Sequence, residues 1–250
     1  MIRKLLEKWS RGVILKRKLP KKYGSRTIYV SPEGGLRYWN PSLNSIDPML
    51  LKVVDLFIEP NNIVWDVGTN LGYFTFTAAH LVGDQGKVLS FEPDIWLCNL
   101  LKKSIDANGD RYIDLMPMAV SNKNGIANFN ISVRSRSTNY LVEGLGSTQT
   151  GGVRQTYAVP TITLDSILDY NEAPNFVKID VEGAEHLVFE GATNLLTKIR
   201  PKIHCEVAKE NYEFISSQLL QNNYDIYDAE FLPEFVIPVN PCENIIALPK

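Results

Sequence analysis

The sequence lacks the features that define several large protein classes. Its 250 residues contain no apolar run of about 18 residues, which is the length that a bilayer-spanning helix needs, and no apolar signal-peptide segment near the start. The three cysteines are scattered without a C-x-x-C pair, which argues against a zinc site or a disulfide framework and fits a reducing cytosol. The net charge is only −2, so nucleic acid is not an expected partner. We therefore expect a cytoplasmic protein.

The positive charge is concentrated at the start of the chain. Residues 1–26 hold ten Lys or Arg and one acid, whereas residues 27–250 carry a net charge of −11. Apolar residues recur in the arm at roughly helical spacing, from Ile2 to Ile14. We predict a basic N-terminal arm, residues 1–26, before a single domain at 27–250. A solvated or domain-packed arm is favoured over peripheral membrane contact through residues 1–22.

The stretch from Ile63 to Gly72 organises the rest of the chain. Ile63–Val67 is a short run of branched apolar residues, typical of a strand that is buried on both faces. Glycines at positions 68 and 72 follow, and a helical pattern begins near Tyr73. Strand, glycine turn and helix predict the start of a doubly wound α/β domain, in which ligands bind beyond the carboxyl ends of the strands.

The spacing of these glycines differs from that of a dinucleotide site. Gly68 and Gly72 form G-x-x-x-G, whereas the dinucleotide fingerprint G-x-G-x-x-G would require glycine at Asn70. The carboxylate of Asp66 would repel a pyrophosphate but suits a cation such as an ammonium group. The alternative interpretation is an ordinary strand–helix turn with a cap.

A second motif follows 20 residues after Gly72. The segment Val88–Pro93 ends a predicted strand with Glu92, at the position where a carboxylate accepts hydrogen bonds from ribose hydroxyls. A surface glutamate is the alternative, but the two motifs in this order favour a nucleoside-containing ligand.

At this point the chain resembles the FkbM family of S-adenosylmethionine-dependent methyltransferases. The matching blocks are 65–72 (WDVGTNLG), 91–93 (FEP), 178–185 (KIDVEGAE), Pro201 and 205–207 (CEV). The resemblance covers about residues 28–248, and Thr69 departs from the alanine that is usual in the family. It implies a Rossmann-like class I methyltransferase fold, with a mostly parallel seven-stranded sheet whose final strand is antiparallel. It also implies S-adenosylmethionine as cofactor and a small molecule, sugar or glycan as acceptor.

The order of strands and helices changes between residues 121 and 165. Residues 127–133 and 153–163 are predicted to form antiparallel strands, which makes this region an insertion in the α/β order. The polar loop between them, residues 134–152, is interpreted as a flap over the acceptor. Arg134, Arg136 and Arg154 would then contact an anionic or carbohydrate acceptor, with solvated surface arginines as the favoured alternative.

Five acidic residues follow predicted strands at the same edge of the sheet. They are Asp66, Glu92, Asp180, Glu182 and Glu206. Their mutual repulsion requires a cationic partner, and the sulfonium and ammonium groups of S-adenosylmethionine provide one. The cofactor-binding residues are predicted to be Asp66, Gly68, Asn70, Gly72, Glu92 and Ala119. Gly68, Asn70 and Gly72 would border the methionine part, Glu92 the ribose and Ala119 the adenine.

The same edge supplies candidates for a catalytic base. A hydroxyl acceptor must lose a proton, and Asp180 and Glu182 are the first candidates, followed by His204 and Glu206. His204 has the alternative role of a packed strand histidine, Lys178 is expected to pair with a carboxylate, and Glu185 is expected to face solvent. No metal ligand is assigned, and a divalent metal held by the acids is the less favoured option.

These observations predict an S-adenosylmethionine-dependent O-methyltransferase. An NAD-dependent oxidoreductase is one alternative, which the glycine spacing and the lack of a Tyr-x-x-x-Lys set disfavour. A non-enzymatic, membrane-associated binding module is the other.

Overall fold

The computed structural model describes residues 9, 11–146, 150–238 and 242–250. The strands, in chain order, are β1 (Leu15–Lys18), β2 (Thr27–Val30), β3 (Ile63–Val67), β4 (Lys87–Phe91), β5 (Ile113–Met116), β6 (Ala119–Val120), β7 (Gly125–Ser132), β8 (Tyr140–Leu141), β9 (Val153–Ile162), β10 (Phe176–Ile179), β11 (Lys202–Glu206), β12 (Tyr224–Asp228) and β13 (Asn244–Pro249). The α-helices are α1 (Pro48–Phe57), α2 (Tyr73–Val82), α3 (Ile95–Asn108), α4 (Leu164–Leu168), α5 (Glu185–Glu190) and α6 (Tyr212–Gln221).

The centre of the fold is a seven-stranded sheet in the order β12-β13-β11-β10-β3-β4-β5. Strand β13 is antiparallel to both of its neighbours, and the pairs from β11 to β5 are parallel. This is the Rossmann-like class I methyltransferase sheet, with its antiparallel final strand, that the resemblance implied. Strand β3 lies at its centre, and all five of its residues are buried.

Helices cover both faces of the sheet and create two apolar cores. Val64 of β3 packs into the core formed with α1, α2 and α3, whereas Trp65 packs into the core formed with α4, α5 and α6. This alternation follows from the two-residue period of a strand, which sends neighbouring side chains to opposite faces. A strand buried on both sides therefore reads as a continuous apolar run in the sequence.

Helix boundaries follow the capping signals of the sequence. The Asp47 carboxylate accepts a hydrogen bond from the amide of Leu50 at 3.0 Å, and Pro48 opens α1. Asp94 caps α3 through the amide of Trp96, and Gly109 ends that helix in a left-handed conformation. In the described residues, no helix is long and apolar enough to span a bilayer.

A second sheet, in the order β6-β9-β7-β8, lies beside the carboxyl edge of the first. Strands β7 and β9 pair in antiparallel fashion, as predicted, over residues 125–132 and 153–161. Alternate residues of β7, Ala127, Phe129 and Ile131, are buried together with Ala184 after β10. This contact places the insertion above the ends of the central strands.

The described part of the N-terminal arm packs on the domain. Strand β1 pairs antiparallel with β2, and Leu19 and Tyr23 are buried in the main core. Val13 and Ile14 precede β1 outside any helix. Residues 1–8 and 10 lie outside the described residues, so the membrane contact stays a prediction.

Candidate active site

A row of buried polar side chains crosses the central sheet. It consists of Ser90, Asp66, Lys178 and His204, which are partners in register across β4, β3, β10 and β11. Partners in register point to the same face of a sheet, so the four side chains are neighbours. Charged residues within such an apolar sheet require partners, and the row supplies some of them.

Lys178 is the cation of this row. Its Nζ atom donates to the carbonyl of Gly68 at 2.9 Å and lies 3.4 Å from Asp66 Oδ1 and 3.2 Å from Asp180 Oδ2. Burial by itself lowers the pKa of Lys178, but Asp180 and Asp66 raise it above its ordinary value, so the ammonium stays charged. The predicted pairing of Lys178 with a carboxylate is therefore confirmed.

The structure gives Asp66 a partner inside the protein. Its carboxylate is fully buried, faces Lys178 and accepts a hydrogen bond from the hydroxyl of Thr75. It is absent from the wall of the cavity described next. Its predicted contact with a ligand amine stays a prediction, whereas its role in neutralising Lys178 is visible.

A cavity of about 570 Å³ lies at the carboxyl edge, between the central sheet and the insertion. We call it the Glu92 cavity. Its polar wall contains Gly68, Asn70, Glu92, Arg136, Ser137, Asn139, Asp180 and Glu182, and its apolar wall contains Val67, Phe91, Pro93, Met118, Ala119, Val120, Phe129, Leu141, Val181 and Ala184. Four of the six predicted cofactor residues, Gly68, Asn70, Glu92 and Ala119, line this cavity, whereas Asp66 and Gly72 do not.

Glu92 is held in place by the backbone at the end of β4. Its two carboxylate oxygens accept hydrogen bonds from the amides of Asn70 and Asp94, each at 2.8 Å. Burial, and then the charge of Asp94, raise the pKa of Glu92 to about 8. Asn70 adopts a left-handed φ of 53°, and its backbone amide points to Glu92. Its Oδ1 atom is buried and has no hydrogen-bond partner within the described ranges. Such an acceptor is suited to a donor group on a ligand.

Glycine is required at positions 68 and 72 of the turn for different structural reasons. Gly68 has φ 82°, and a Cβ at this position would lie 1.8 Å from the carbonyl oxygen of Asp180. Gly72 has φ 83°, and its Cβ would press against Leu101 and Phe76 at 2.7 and 2.8 Å. Gly68 thus allows the turn to touch the end of β10, whereas Gly72 serves core packing and does not line the Glu92 cavity.

Three acids form a cluster at the ends of β10 and β11. Burial, and then Asp180 and Glu206, raise the pKa of Glu182 to about 9. The charge of Asp180, followed by burial, raises the pKa of Glu206 to about 8. Glu182 also has a left-handed φ of 51°, a conformation that costs about 1–3 kcal/mol for a non-glycine residue. Crowded carboxylates and backbone strain at one point are typical of a functional site.

Two further cavities meet this cluster. The Arg37 cavity, about 770 Å³, is lined by Arg37, Tyr38, Asp47, Met49, Leu50, Thr69, Asn70, Tyr73, Phe74, Ser137, Lys178, Asp180, Glu182, His204 and Glu206. The Glu210 cavity, about 1020 Å³, is lined by Leu145, Gly146, Asp180, Glu182, Gly183, Glu185, Glu206, Val207, Ala208, Lys209, Glu210 and Glu243. Asp180 and Glu182 border all three cavities. The four residues predicted as catalytic are therefore brought together.

The side chain of Glu185 is buried, contrary to the prediction. It was expected to face solvent, but it is 1% exposed, so that expectation is wrong. Its carboxylate accepts hydrogen bonds from the amide of Gly183 at 2.7 Å and from the side chain of Asn211 at 2.6 Å. Glu185, the first residue of α5, thus satisfies the amide of Gly183 in the turn before its own helix.

Two arginines of the insertion bind acids of the protein. Arg154 donates to Glu33 at 2.7 Å, and Arg136 contacts both Glu33 and Asp94 while its guanidinium stacks on Trp96 at 4.6 Å. These bonds tie the insertion to the turn at Pro32–Gly34 and to the start of α3. To contact an acceptor, as predicted, Arg136 and Arg154 would have to share or give up their ion pairs with Glu33 and Asp94.

Sequence reasoning missed the contribution of the insertion to the Glu92 cavity. Phe129, Asn139 and Leu141 line it, although they are distant from the sheet motifs in the sequence. The alternation of apolar residues along β7 was the signal for Phe129. The 3-10 turns at Pro32–Gly34 and Leu36–Trp39, which place Arg37 at the site, carried no comparable signal.

No group of three His, Cys, Asp or Glu side chains in the described ranges is arranged to bind a metal ion.

Comparisons with known proteins place the chain among methyltransferases. The sequence pattern of the methyltransferase FkbM domain matches residues 66–234. The hexuronic acid methyltransferase AglP of Haloferax volcanii is 29% identical over 143 residues, which cover 56% of this chain and 54% of AglP. The match thus spans about half the length of that relative.

Solved structures with a similar fold include two methyltransferases. FkbM of Methylobacillus flagellatus is 14% identical with a TM-score of 0.49, over 75% of this chain and 43% of that one. Precorrin-6y C5,15-methyltransferase of Geobacter metallireducens is 10% identical with a TM-score of 0.48, over 82% of this chain and 88% of that one. Since the family pattern spans residues 66–234, well over half of the chain, the protein belongs to the FkbM methyltransferase domain family.

Proposed function

We propose that this protein is an O-methyltransferase acting on a hydroxyl group of a sugar, a glycan or a small molecule, with a hexuronic acid as the first acceptor to test. One observation carries the proposal: Asp180 and Glu182 border the Glu92 cavity and both neighbouring cavities. A hydroxyl bound beside them has a proton acceptor within reach. The relative AglP, a hexuronic acid methyltransferase, supports the choice of acceptor. Membership of the family favours methyl transfer over the oxidoreductase alternative.

The residues of the Glu92 cavity fit S-adenosylmethionine. The carboxyl groups of Glu92, Asp180 and Glu182 line the wall that would face the sulfonium cation, which favours their charged forms. The Oδ1 atom of Asn70, which has no partner among the described residues, suits the ammonium group. Glu92 would hold the ribose hydroxyls, and Gly68 with Asn70 would border the methionine part. The apolar wall around Ala119 would receive the adenine ring.

When bound, S-adenosylmethionine supplies a methyl group that is made electrophilic by its positively charged sulfur. In this displacement the acceptor hydroxyl would take the methyl group and leave its proton on a carboxylate of the protein, for which Asp180 and Glu182 border the cavity. Most of the rate enhancement in such a displacement comes from holding the oxygen in line with the methyl group. The protein therefore has to orient the acceptor and remove one proton.

Asp180 and Glu182 are the first candidates for the base, with His204 and Glu206 behind them. Asp180 is paired with Lys178, which keeps its carboxylate next to a fixed positive charge. Glu182, with its pKa raised to about 9, holds a proton at neutral pH in the ligand-free protein. A cation in the Glu92 cavity lowers this pKa, so the cluster gains a free carboxylate when the donor is bound.

The proposal is tested by incubating the protein with methyl-labelled donor and a panel of uronides, neutral glycosides and extracted glycans. We expect label in a product that survives mild alkali, as a methyl ether does and a methyl ester does not. Calorimetry with S-adenosylhomocysteine and NAD provides a control for the cofactor. Label found only in alkali-labile esters, or no transfer to any hydroxyl compound by protein that binds the donor, would overturn the O-methyl assignment.

A further inference from the structure

The Arg37 cavity is the neighbour that shares most wall with the Glu92 cavity. Asn70, Ser137, Asp180 and Glu182 border both, whereas the Glu210 cavity shares only Asp180 and Glu182 with it. An acceptor in the Arg37 cavity therefore approaches the cofactor across a broad boundary that contains the candidate bases. Its remaining wall is formed by Asp47 and α1, the start of α2, the turn at Leu36–Trp39, Thr69, and residues of β10 and β11.

His204 gives this cavity an unsatisfied polar group. Its side chain is 2% exposed and lines the cavity, and neither ring nitrogen has a hydrogen-bond partner among the residues that the structure describes. Burial, and then the charge of Lys178, lower the pKa of His204 to about 4, so the ring is neutral at pH 7. A neutral imidazole presents one donor and one acceptor, and leaving each unmade costs about 1–3 kcal/mol. A hydroxyl group both donates and accepts, so it is a matching partner.

Arg37 supplies the accessible positive charge of the cavity. Its Nη1 atom contacts Asp47 at 3.1 Å, and the side chain remains 48% exposed. Lys178, the other cation of the wall, is already held by Asp66 and Asp180. Guanidinium groups bind carboxylates through paired N–H donors, so Arg37 is suited to an acidic group on the acceptor.

The charge of the cavity permits an anionic acceptor. Arg37 and Lys178 face the ion-paired carboxylates of Asp47 and Asp180. Glu182 and Glu206 have pKa values raised to about 9 and about 8, so they are mostly protonated at neutral pH and add little negative charge. While Glu182 and Glu206 hold their protons, as they do without a sulfonium cation nearby, the acids of this wall therefore add little repulsion toward a carboxylate.

We propose that the Arg37 cavity is the acceptor pocket and that it binds a uronic acid ring, with His204 hydrogen-bonded to a ring hydroxyl and Arg37 paired with the ring carboxylate. This assignment rests on the proposed function and adds to it the location of the acceptor and two residues that determine specificity. Methyl transfer to a hydroxyl could take place with the acceptor bound elsewhere beside the acids. The proposed function and the assignment of the acceptor pocket can therefore fail separately.

The direct test observes His204 by NMR in protein saturated with S-adenosylhomocysteine. The chain has three histidines, and His80, which packs against Gly24, is an internal control. Methyl glucuronide is expected to shift the imidazole nitrogen signals of His204, assigned with the variant His204→Gln, and to leave those of His80 unchanged. Methyl glucoside is expected to shift them less. Unmoved His204 signals in protein that binds S-adenosylhomocysteine would overturn the pocket assignment, whereas the methylation proposal would stand.

A kinetic test separates the role of Arg37. Arg37→Gln is expected to raise KM for the uronide roughly tenfold, with little change in kcat, in KM for the glucoside or in the affinity for S-adenosylhomocysteine. Arg111→Gln, an exposed arginine outside all three cavities, is the matched control and is expected to leave KM unchanged. Equal KM changes for the uronide and the glucoside, or none, would contradict carboxylate recognition by Arg37.

Discussion

The ammonium group of Lys178 lies 3.2 Å from the carboxylate of Asp180. The same ammonium lies 3.4 Å from the fully buried Asp66. Lys178 therefore connects a charge inside the sheet to an acid on the rim of the site. The position of Asp180, a candidate base, therefore depends on a cation that also borders the Arg37 cavity.

Removing Lys178 is expected to destabilise the protein through Asp66. Lys178→Met leaves a buried carboxylate without its cation, and breaking a buried pair in this way costs about 3–5 kcal/mol. The double variant Lys178→Met with Asp66→Asn is expected to recover most of that loss, because it removes both charges. Urea denaturation of the two single variants and the double variant measures the coupling. Additive losses would show that the pair does not interact.

Gly68 is expected to tolerate no side chain. Gly68→Ala places a Cβ 1.8 Å from the carbonyl of Asp180, so either the turn or the end of β10 must move. Gly109→Ala is the matched control, since Gly109 has φ 67° with nothing within 4 Å of its Cβ. The control is expected to lose about 1 kcal/mol of stability and to keep activity. Gly68→Ala is expected to lose at least about 2 kcal/mol more and to lose methyl transfer. Similar stability and activity in the two variants would contradict the close approach.

Glu92→Gln is expected to weaken donor binding. A glutamine has one oxygen where the carboxyl group has two, so one of the amides of Asn70 and Asp94 loses its acceptor and the ribose hydroxyls meet an amide nitrogen in place of an oxygen. Calorimetry with S-adenosylhomocysteine should show a Kd increase of roughly 10- to 100-fold, equivalent to about 1–3 kcal/mol. Asp114→Asn, an acid on β5 whose partner is Lys87, is the control and should leave Kd unchanged. Unaltered affinity in Glu92→Gln would remove Glu92 from the cofactor site.

Donor binding is expected to release protons. The pKa values of Glu182 and Glu206 are raised to about 9 and about 8, so both side chains are mainly protonated at neutral pH. A sulfonium cation nearby favours the charged carboxylates and lowers these pKa values, which sends protons to the buffer. Calorimetry in buffers of different ionisation enthalpy should show release approaching about one proton with S-adenosylmethionine. Binding of S-adenosylhomocysteine, whose sulfur is neutral, should release far fewer protons. The variant Glu182→Gln should reduce the difference in proton release between the two ligands. Equal release with both ligands would contradict a coupling between the cluster and the sulfonium.

Much of the fold could be predicted because its signals are local. The apolar run at Ile63–Val67 predicts a strand that the structure confirms, and the local signals Asp47–Pro48 and Asn108–Gly109 coincide with a helix start and a helix end. The carboxyl ends of parallel strands share one edge, so the convergence of Asp180, Glu182 and Glu206 also followed from strand order. The wrong expectation for Glu185 has a local cause as well: its helix has only six residues, and helical periodicity is uninformative over so short a segment.

The sequence by itself determined the strand–turn–helix opening, the acids that meet at the edge of the sheet and the family to which the chain is similar. Each of these depends on side-chain periodicity, glycine conformation or a short motif, which are properties of neighbouring residues. Only the tertiary structure decided that Asp66 faces Lys178, that Gly68 makes room for Asp180 and that Arg37 and His204 line one cavity. These contacts join residues from separate elements, and their geometry is set by the packing of the sheet, the insertion and the N-terminal turns against one another.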